Sequence, residues 1–150
     1  MTKLLRHYVA GQIRCFPELL PLYAPTVNSY KRLDAFKHKW VTWGLDHRAA
    51  TLRIIGGNQK TTRLEVRLGG ADINPYLAIA ASLASGIYGI ENKLELTQER
   101  LQEAQRKPPS DDIKLLPRNL MEATEAFYSS QVAREEIGRA SCRERVFITV

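Results

Sequence analysis

The sequence predicts an α+β fold in which a small antiparallel sheet packs against helices. Residues Thr62–Leu68 (T-R-L-E-V-R-L) alternate strictly between apolar and charged side chains, the period of a half-buried strand. Residues Ala49–Ile55 (A-A-T-L-R-I-I) form a second β-rich run, separated from the first by a turn at Gly56, Gly57 and Asn58. Asn74-Pro75 then opens a long apolar stretch of helical length, with Asn as cap and Pro as first helical residue.

The remaining elements follow in chain order. A helix is predicted over about 2–22, with Leu5, Tyr8, Val9, Ile13 and Phe16 near one face and Pro17 and Pro21 bending or breaking its end. Residues Ala24–Leu33 read as loop with a short turn, introduced by Pro25. The strands are expected at about 49–55 and 62–68. Within the second, Leu64, Val66 and Leu68 point one way and Arg63, Glu65 and Arg67 the other. The helix at about 75–90 is apolar nearly all round and is expected to be buried. Gly86 and Gly89 near its end permit close packing. Residues 91–107 are polar, a solvated helix or tail, and Lys107-Pro-Pro-Ser110 is a break. A last helix is expected at about 118–135, with Leu120, Ala123, Ala126 and Phe127 on one face. His7 and His38 are expected at the surface, Trp40 and Trp43 in packing, and Cys15 on a helix face.

With 150 residues, 44% hydrophobic and 25% charged, the chain is long enough for one domain with a real core. The net charge of +6 raises the question of nucleic acid. The basic residues are scattered and no basic run interleaves with aromatics, so nucleic acid is not expected as a partner. The most apolar run, Tyr76–Ile90, is short for a bilayer, so no membrane partner is expected either. Lys3, Arg6 and His7 precede no long apolar core of a signal peptide. The two cysteines, Cys15 and Cys142, lack metal-ligand spacing and imply no disulfide framework, in keeping with a reducing cytoplasm.

The alternating strand is the segment with chemistry. One reading is a solvated charged face with Arg-Glu-Arg cross-strand pairs. The other is a site lining. Glu65 would supply a hard oxygen ligand for Mg²⁺ or Mn²⁺. Arg63 and Arg67, with Arg53 on the partner strand and Arg32 and Arg48 upstream, would hold anionic groups through their planar forks. Several arginines around a carboxylate suit phosphoryl transfer, where developing charge needs fixed cations.

Four motifs occur in order: N-S-Y-K-R-L (Asn28–Leu33), W-G-L-D-H-R-A-A-T-L-R-I (Trp43–Ile54), R-L-E-V-R (Arg63–Arg67) and N-P-Y-L-A (Asn74–Ala78). Over roughly residues 5–137 the chain thereby resembles the C-terminal part of the glutamine synthetase catalytic domain. Its wording, with A-P-T before N-S-Y, is closer to γ-glutamylamide or γ-glutamylpolyamine synthetase-like branches than to the assimilatory enzyme. The resemblance implies an ATP-dependent carboxylate–amine ligase working through a γ-glutamyl phosphate, with glutamate, ATP and ammonia or an amine as substrates. It also implies Mg²⁺ or Mn²⁺ and a homo-oligomeric ring for the full-length parent. Residue by residue, Arg32 and Arg67 match substrate-binding arginines. Arg48 matches the arginine facing the transferred phosphate, Arg53, Lys60 and Arg63 match nucleotide-side cations, and Glu65 matches a metal ligand. The family also contains catalytically silent structural relatives, which is the alternative function.

Three departures accompany the match. His47 stands where the family usually has Asn. The stretch L-D-A-F-K-H-K-W follows N-S-Y-K-R without the usual V-P-G. Gly69-Gly70 and Ala71-Asp72 replace a common P-D pair. The family's N-terminal β domain, its upstream glutamate metal ligands and its histidine motif have no counterpart here, so the chain alone is expected to be inactive as a ligase. The chain is accordingly divided into a partial catalytic domain, 1–135, and a tail, 136–150. In the tail, G-R-A-S-C-R-E-R-V reads as translated sequencing-adapter sequence rather than native protein.

Overall fold

The computed structural model describes residues 1–35, 40–56, 58, 60–96 and 114–138. Helix α1 (Lys3–Leu19) starts where the Thr2 hydroxyl accepts the Leu5 amide at 3.2 Å. Pro17 lies inside α1 without ending it, and the chain then tightens into a 3₁₀ turn at Leu20–Leu22. The helix predicted over 2–22 is therefore present, and what stops it is this turn.

Where a loop was expected over Ala24–Leu33, the chain forms helix α2 (Val27–Ala35). Its first turn is built by hydroxyls: the Thr26 amide donates to Ser29 Oγ at 3.1 Å and the Ser29 amide to Thr26 Oγ1 at 3.3 Å. Asp72, far along the chain, accepts from both hydroxyls, at 2.8 Å from Thr26 and 2.6 Å from Ser29.

Three short strands form one sheet in the order β1 (Trp43–Leu45), β2 (Leu52–Ile55), β3 (Arg63–Val66). The expected antiparallel pair is β2–β3, with Arg53 opposite Glu65 and Ile55 opposite Arg63. Both strands are shorter than predicted. Gly56, at φ 138°, opens the turn between them, and a Cβ there would lie 2.5 Å from Thr62 Cα. Strand β1 was not anticipated, and it runs parallel to β2. Parallel neighbours usually need a crossover of a dozen residues or more. Here residues 46–51 suffice, because Asp46 takes a left-handed conformation (φ 50°) and the Ala50 amide closes onto the His47 carbonyl at 3.2 Å.

Helix α3 (Pro75–Glu91) begins at the predicted Asn74 cap, whose side chain accepts the Tyr76 and Leu77 amides at 3.0 and 3.4 Å. It packs on α1 through glycine. A Cβ on Gly11 would sit 2.1 Å from the Ser85 carbonyl oxygen and 2.6 Å from Gly89 Cα. The Ser82 carbonyl accepts from Tyr8 Oη at 3.0 Å and Gln12 Nε2 at 3.3 Å, while Tyr23 Oη meets Ser82 Oγ at 3.0 Å. The expectation that α3 is buried all round fails. Tyr76, Ile79, Leu83 and Ile87 are 83%, 59%, 52% and 45% exposed, a stripe at helical spacing opposite the α1 contact.

The last predicted helix is in two pieces. Helix α4 (Leu120–Ser129) is capped by Asn119, and Glu122 returns a carboxylate to the Arg118 amide at 2.9 Å. Ser130 leaves helical geometry, its hydroxyl accepts the Ala133 amide at 3.0 Å, and a π-helical turn follows at Ala133–Ile137. Of the expected tail, Ile137 packs against the core, and residues 139–150 lie outside the described set. So do His38, the break at Lys107–Ser110 and nearly all of the polar stretch after residue 96. The core joins α1, α3, α4 and the inner sheet face, with Phe16, Leu19, Tyr23, Leu52, Leu68 and Phe127 fully or almost fully enclosed. His7, expected at the surface, is 7% exposed, and its Nδ1 lies 2.7 Å from the Leu94 carbonyl.

Candidate active site

The outer face of the sheet gathers the charged residues. Directly opposed residues on an antiparallel pair share a face, so Arg53 and Glu65 lie together, and Arg63 and Arg67, two positions either side of Glu65, share that face. Glu65 is held from both sides. One carboxylate oxygen accepts from Arg53 Nη1 at 3.2 Å, and the other is ion-paired with Arg67 Nη1. Arg53 is bound on its other side too: its Nε donates to Asp46 Oδ1 at 3.1 Å and its Nη2 pairs with the same oxygen. A row Asp46–Arg53–Glu65–Arg67 thus runs across the sheet. Arg53 beside it holds the Asp46 carboxyl below its ordinary value, with smaller contributions from Arg48 and Arg63.

Arg32 reaches the end of this row from α2. Its Nη2 donates to the Leu68 carbonyl, the residue after Arg67. The Nε atoms of Arg32 and Arg67 are both buried without a protein partner. Buried guanidinium donors left open are suited to an anion. Asp72 stands beside Arg32, its carboxyl held low first by Ser29 and then by Thr26, with Arg32 adding to the effect.

The sequence placed five arginines around Glu65. The structure brings Arg53 and Arg67 into contact with it, seats Arg32 one residue beyond, and leaves Arg48 and Arg63 exposed at the rim. Arg32 stands on a helix rather than in a loop. Lys60 is exposed in the β2–β3 turn, its amide donating to Asn58 Oδ1 at 3.0 Å. His47 accepts the Ala49 amide on Nδ1 at 3.2 Å, which shapes the turn that presents Arg48. Two functional-looking residues were missed. Asp46 was hidden because its role depends on a left-handed turn, and Asp72 because its partners lie 43 and 46 residues away.

The family model for the glutamine synthetase catalytic domain matches residues 1–148.

The chain belongs to that family.

It is 45% identical over 144 residues to type-1 glutamine synthetase 2 of Dictyostelium discoideum, covering 92% of this chain and 27% of the relative. It is 39% identical over 140 residues to γ-glutamylethanolamide synthetase GlnA4 of Streptomyces coelicolor, covering 92% and 29%. The solved structure of apo GmaS without ligand superposes with a TM-score of 0.81 at 33% identity, covering 94% of this chain and 32% of that one. As a member of the glutamine synthetase catalytic-domain family, the chain thus spans about a third or less of the length of the relatives it matches. The α+β architecture predicted from sequence is the one found in this solved structure.

The family implies a divalent metal, which the residues present do not by themselves fit. Among the described residues no group of three or more His, Cys, Asp or Glu side chains converges, and both Glu65 oxygens are already taken by arginine. A divalent ion needs several oxygen ligands, so these residues alone do not form a metal site. Among the described residues no helix is long and apolar enough to cross a membrane.

Proposed function

We propose that this chain forms the arginine-bearing part of the active site of an ATP-dependent carboxylate–amine ligase, of the glutamate–ammonia or γ-glutamylamide type. The observation that carries the reading is the ordered row Asp46–Arg53–Glu65–Arg67, with Arg32 joining it at Leu68 and two buried guanidinium nitrogens left open.

The chemistry is two substitutions. A γ-carboxylate oxygen of glutamate attacks the γ-phosphorus of ATP, and the bond to ADP breaks. The amine nitrogen then attacks the acyl carbon, phosphate leaves with its bonding pair, and the nitrogen sheds a proton. Both steps place negative charge on phosphoryl oxygens, which fixed cations stabilise. In this reading Arg48 faces the transferred phosphate, Arg53, Arg63 and Lys60 serve the nucleotide side, and Arg32 and Arg67 bind the amino-acid carboxylate. The motif resemblance implies a metal-ligand role for Glu65, but here both of its oxygens serve Arg53 and Arg67, so it would hold an ion only with one of those pairs opened, and no step is assigned through that ion. A ring of identical subunits and a cytoplasmic setting for the full-length parent belong to the same proposal. So does the division at residue 135, which the genomic sequence flanking the reading frame tests.

The direct experiment is a graft. This segment replaces the matching part of GlnA4 from Streptomyces coelicolor, and ATP- and glutamate-dependent phosphate release is measured with ammonia and with ethanolamine. Turnover that falls about a hundred-fold or more on Arg48→Ala supports the reading. An assembled graft that hydrolyses no ATP with any amine replaces it with the silent structural relative.

A further inference from the structure

Arg32 is held in place by a device that the arginine motifs do not include. Three observations meet at the loop after β3. First, Asp72 Oδ2 accepts from Ser29 Oγ at 2.6 Å and from Thr26 Oγ1 at 2.8 Å, which pins the first turn of α2 to the loop. Second, the Arg32 guanidinium crosses the same gap in the other direction to the Leu68 carbonyl. Third, Gly70 lies between the two. A Cβ there would stand 2.7 Å from Asp72 Oδ1 and 2.8 Å from Arg32 Nε. Oδ1 and Nε belong to the same carboxylate and guanidinium that make the bonds just described through Oδ2 and Nη2, so a methyl group at residue 70 presses on both groups at once.

From this geometry we infer that Asp72 and Gly70 are positioning residues for the substrate carboxylate site. They fix the Arg32 guanidinium at the carbonyl of Leu68, the residue after Arg67, so that the two arginines of the proposed carboxylate site are held at one end of the row. The inference rests on the proposed ligase reading, which gives Arg32 and Arg67 their anion. It adds a second point about specificity: the spacing of the two guanidinium groups is set by the G-G-A-D loop rather than by the sheet. Asp72 contributes in two ways, through its hydrogen bonds to α2 and through its charge beside Arg32. In the proposed reading the transferred phosphate is faced by Arg48 and not by Asp72 or Gly70, so the effect is expected on glutamate binding and not on the chemical step.

The test uses the grafted enzyme described above, checked for assembly by size-exclusion chromatography. Asp72→Asn keeps an acceptor for the hydroxyls and removes the charge, and Gly70→Ala keeps Asp72 and crowds Arg32. Each is expected to raise the KM for glutamate about five- to ten-fold while kcat and the KM for ATP stay within about two-fold, the range of one charge-assisted hydrogen bond. Asp72→Glu is expected to recover part of the loss. An active graft whose glutamate KM is unmoved by both substitutions overturns this inference and leaves the ligase reading intact. Equal loss of kcat and of both KM values also overturns it, since that marks general disruption. An assembled graft with no glutamate-dependent turnover overturns the ligase reading and this inference with it.

Discussion

Gly11 has no space for a methyl group: its Cβ would overlap the Ser85 carbonyl and the Gly89 backbone on the facing helix. Gly11→Ala is therefore expected to destabilise the chain by about 1–3 kcal/mol, the usual cost of overpacking a rigid backbone contact, read as a lower urea midpoint. Cys15 sits fully enclosed on the same helix, and burial pushes its thiol up to about 12. In a Cys142→Ser variant it is expected to resist a thiol reagent at pH 8 and to react at once in denaturant; rapid labelling of that folded variant would contradict this assignment. At this scale the sequence was partly informative. Alternation in R-L-E-V-R put Arg63, Glu65 and Arg67 on one face, because a strand's period is local. It could not reveal that Arg53 is saturated by Asp46 on one side and Glu65 on the other, since that bond depends on a turn with a left-handed residue. Nor could it show that His7 is buried, with its ring against the Leu94 carbonyl 87 residues away.

Among the elements, those with strong local signals were legible. The Asn74 cap and Pro75 set the start of α3, while the Asn119 cap of α4 lies one residue past the start expected at about 118. Helix α2 was not legible because Thr26 and Ser29 read as loop formers until Asp72 arrives to bond both hydroxyls. Strand β1 has three residues and a connection too short for an ordinary parallel pair, so no periodicity could show it. The apolar character of α3 was read correctly and its consequence was not, because half of the apolar surface finds no partner within the described residues. The exposed stripe Tyr76–Ile79–Leu83–Ile87 is a surface of the kind that drives self-association. Replacing Ile79 and Leu83 with Lys is expected to reduce aggregation of the isolated chain, followed by light scattering, while shifting the thermal midpoint by less than about 3 °C. A large drop in that midpoint would mean the stripe is packed in solution.

For the whole molecule, the isolated chain is expected to show no ATP-dependent γ-glutamyl transfer above background, because both Glu65 oxygens are committed to Arg53 and Arg67 and are not free for a divalent ion; turnover above background would overturn this. Its stability should also depend on pH at both ends. Cys15, Tyr23 and Tyr30 all have their pKa raised by burial, so the unfolded chain gives up these protons first. Their contribution is intact below about pH 9 and is lost as the pH rises above it. Asp72 and Asp46 are shifted the other way, Asp72 by Ser29 and Thr26 and Asp46 by Arg53. Their contribution is present above about pH 4 and is lost as the pH falls through the lowered values. A urea midpoint flat between about pH 5 and 9 and falling on both sides is the expected profile. The α1–α3 contact has a further consequence, in time rather than space. Tyr8 bonds to Ser82, 74 residues later in the chain. At ordinary synthesis rates α1 emerges roughly 4–15 s before the helix that covers it. Throughout that interval Tyr8 and Gln12 lack their Ser82 acceptor and Gly11 has no facing backbone, so the nascent chain presents an uncovered helix to the cell's holdase chaperones long before its fold can close.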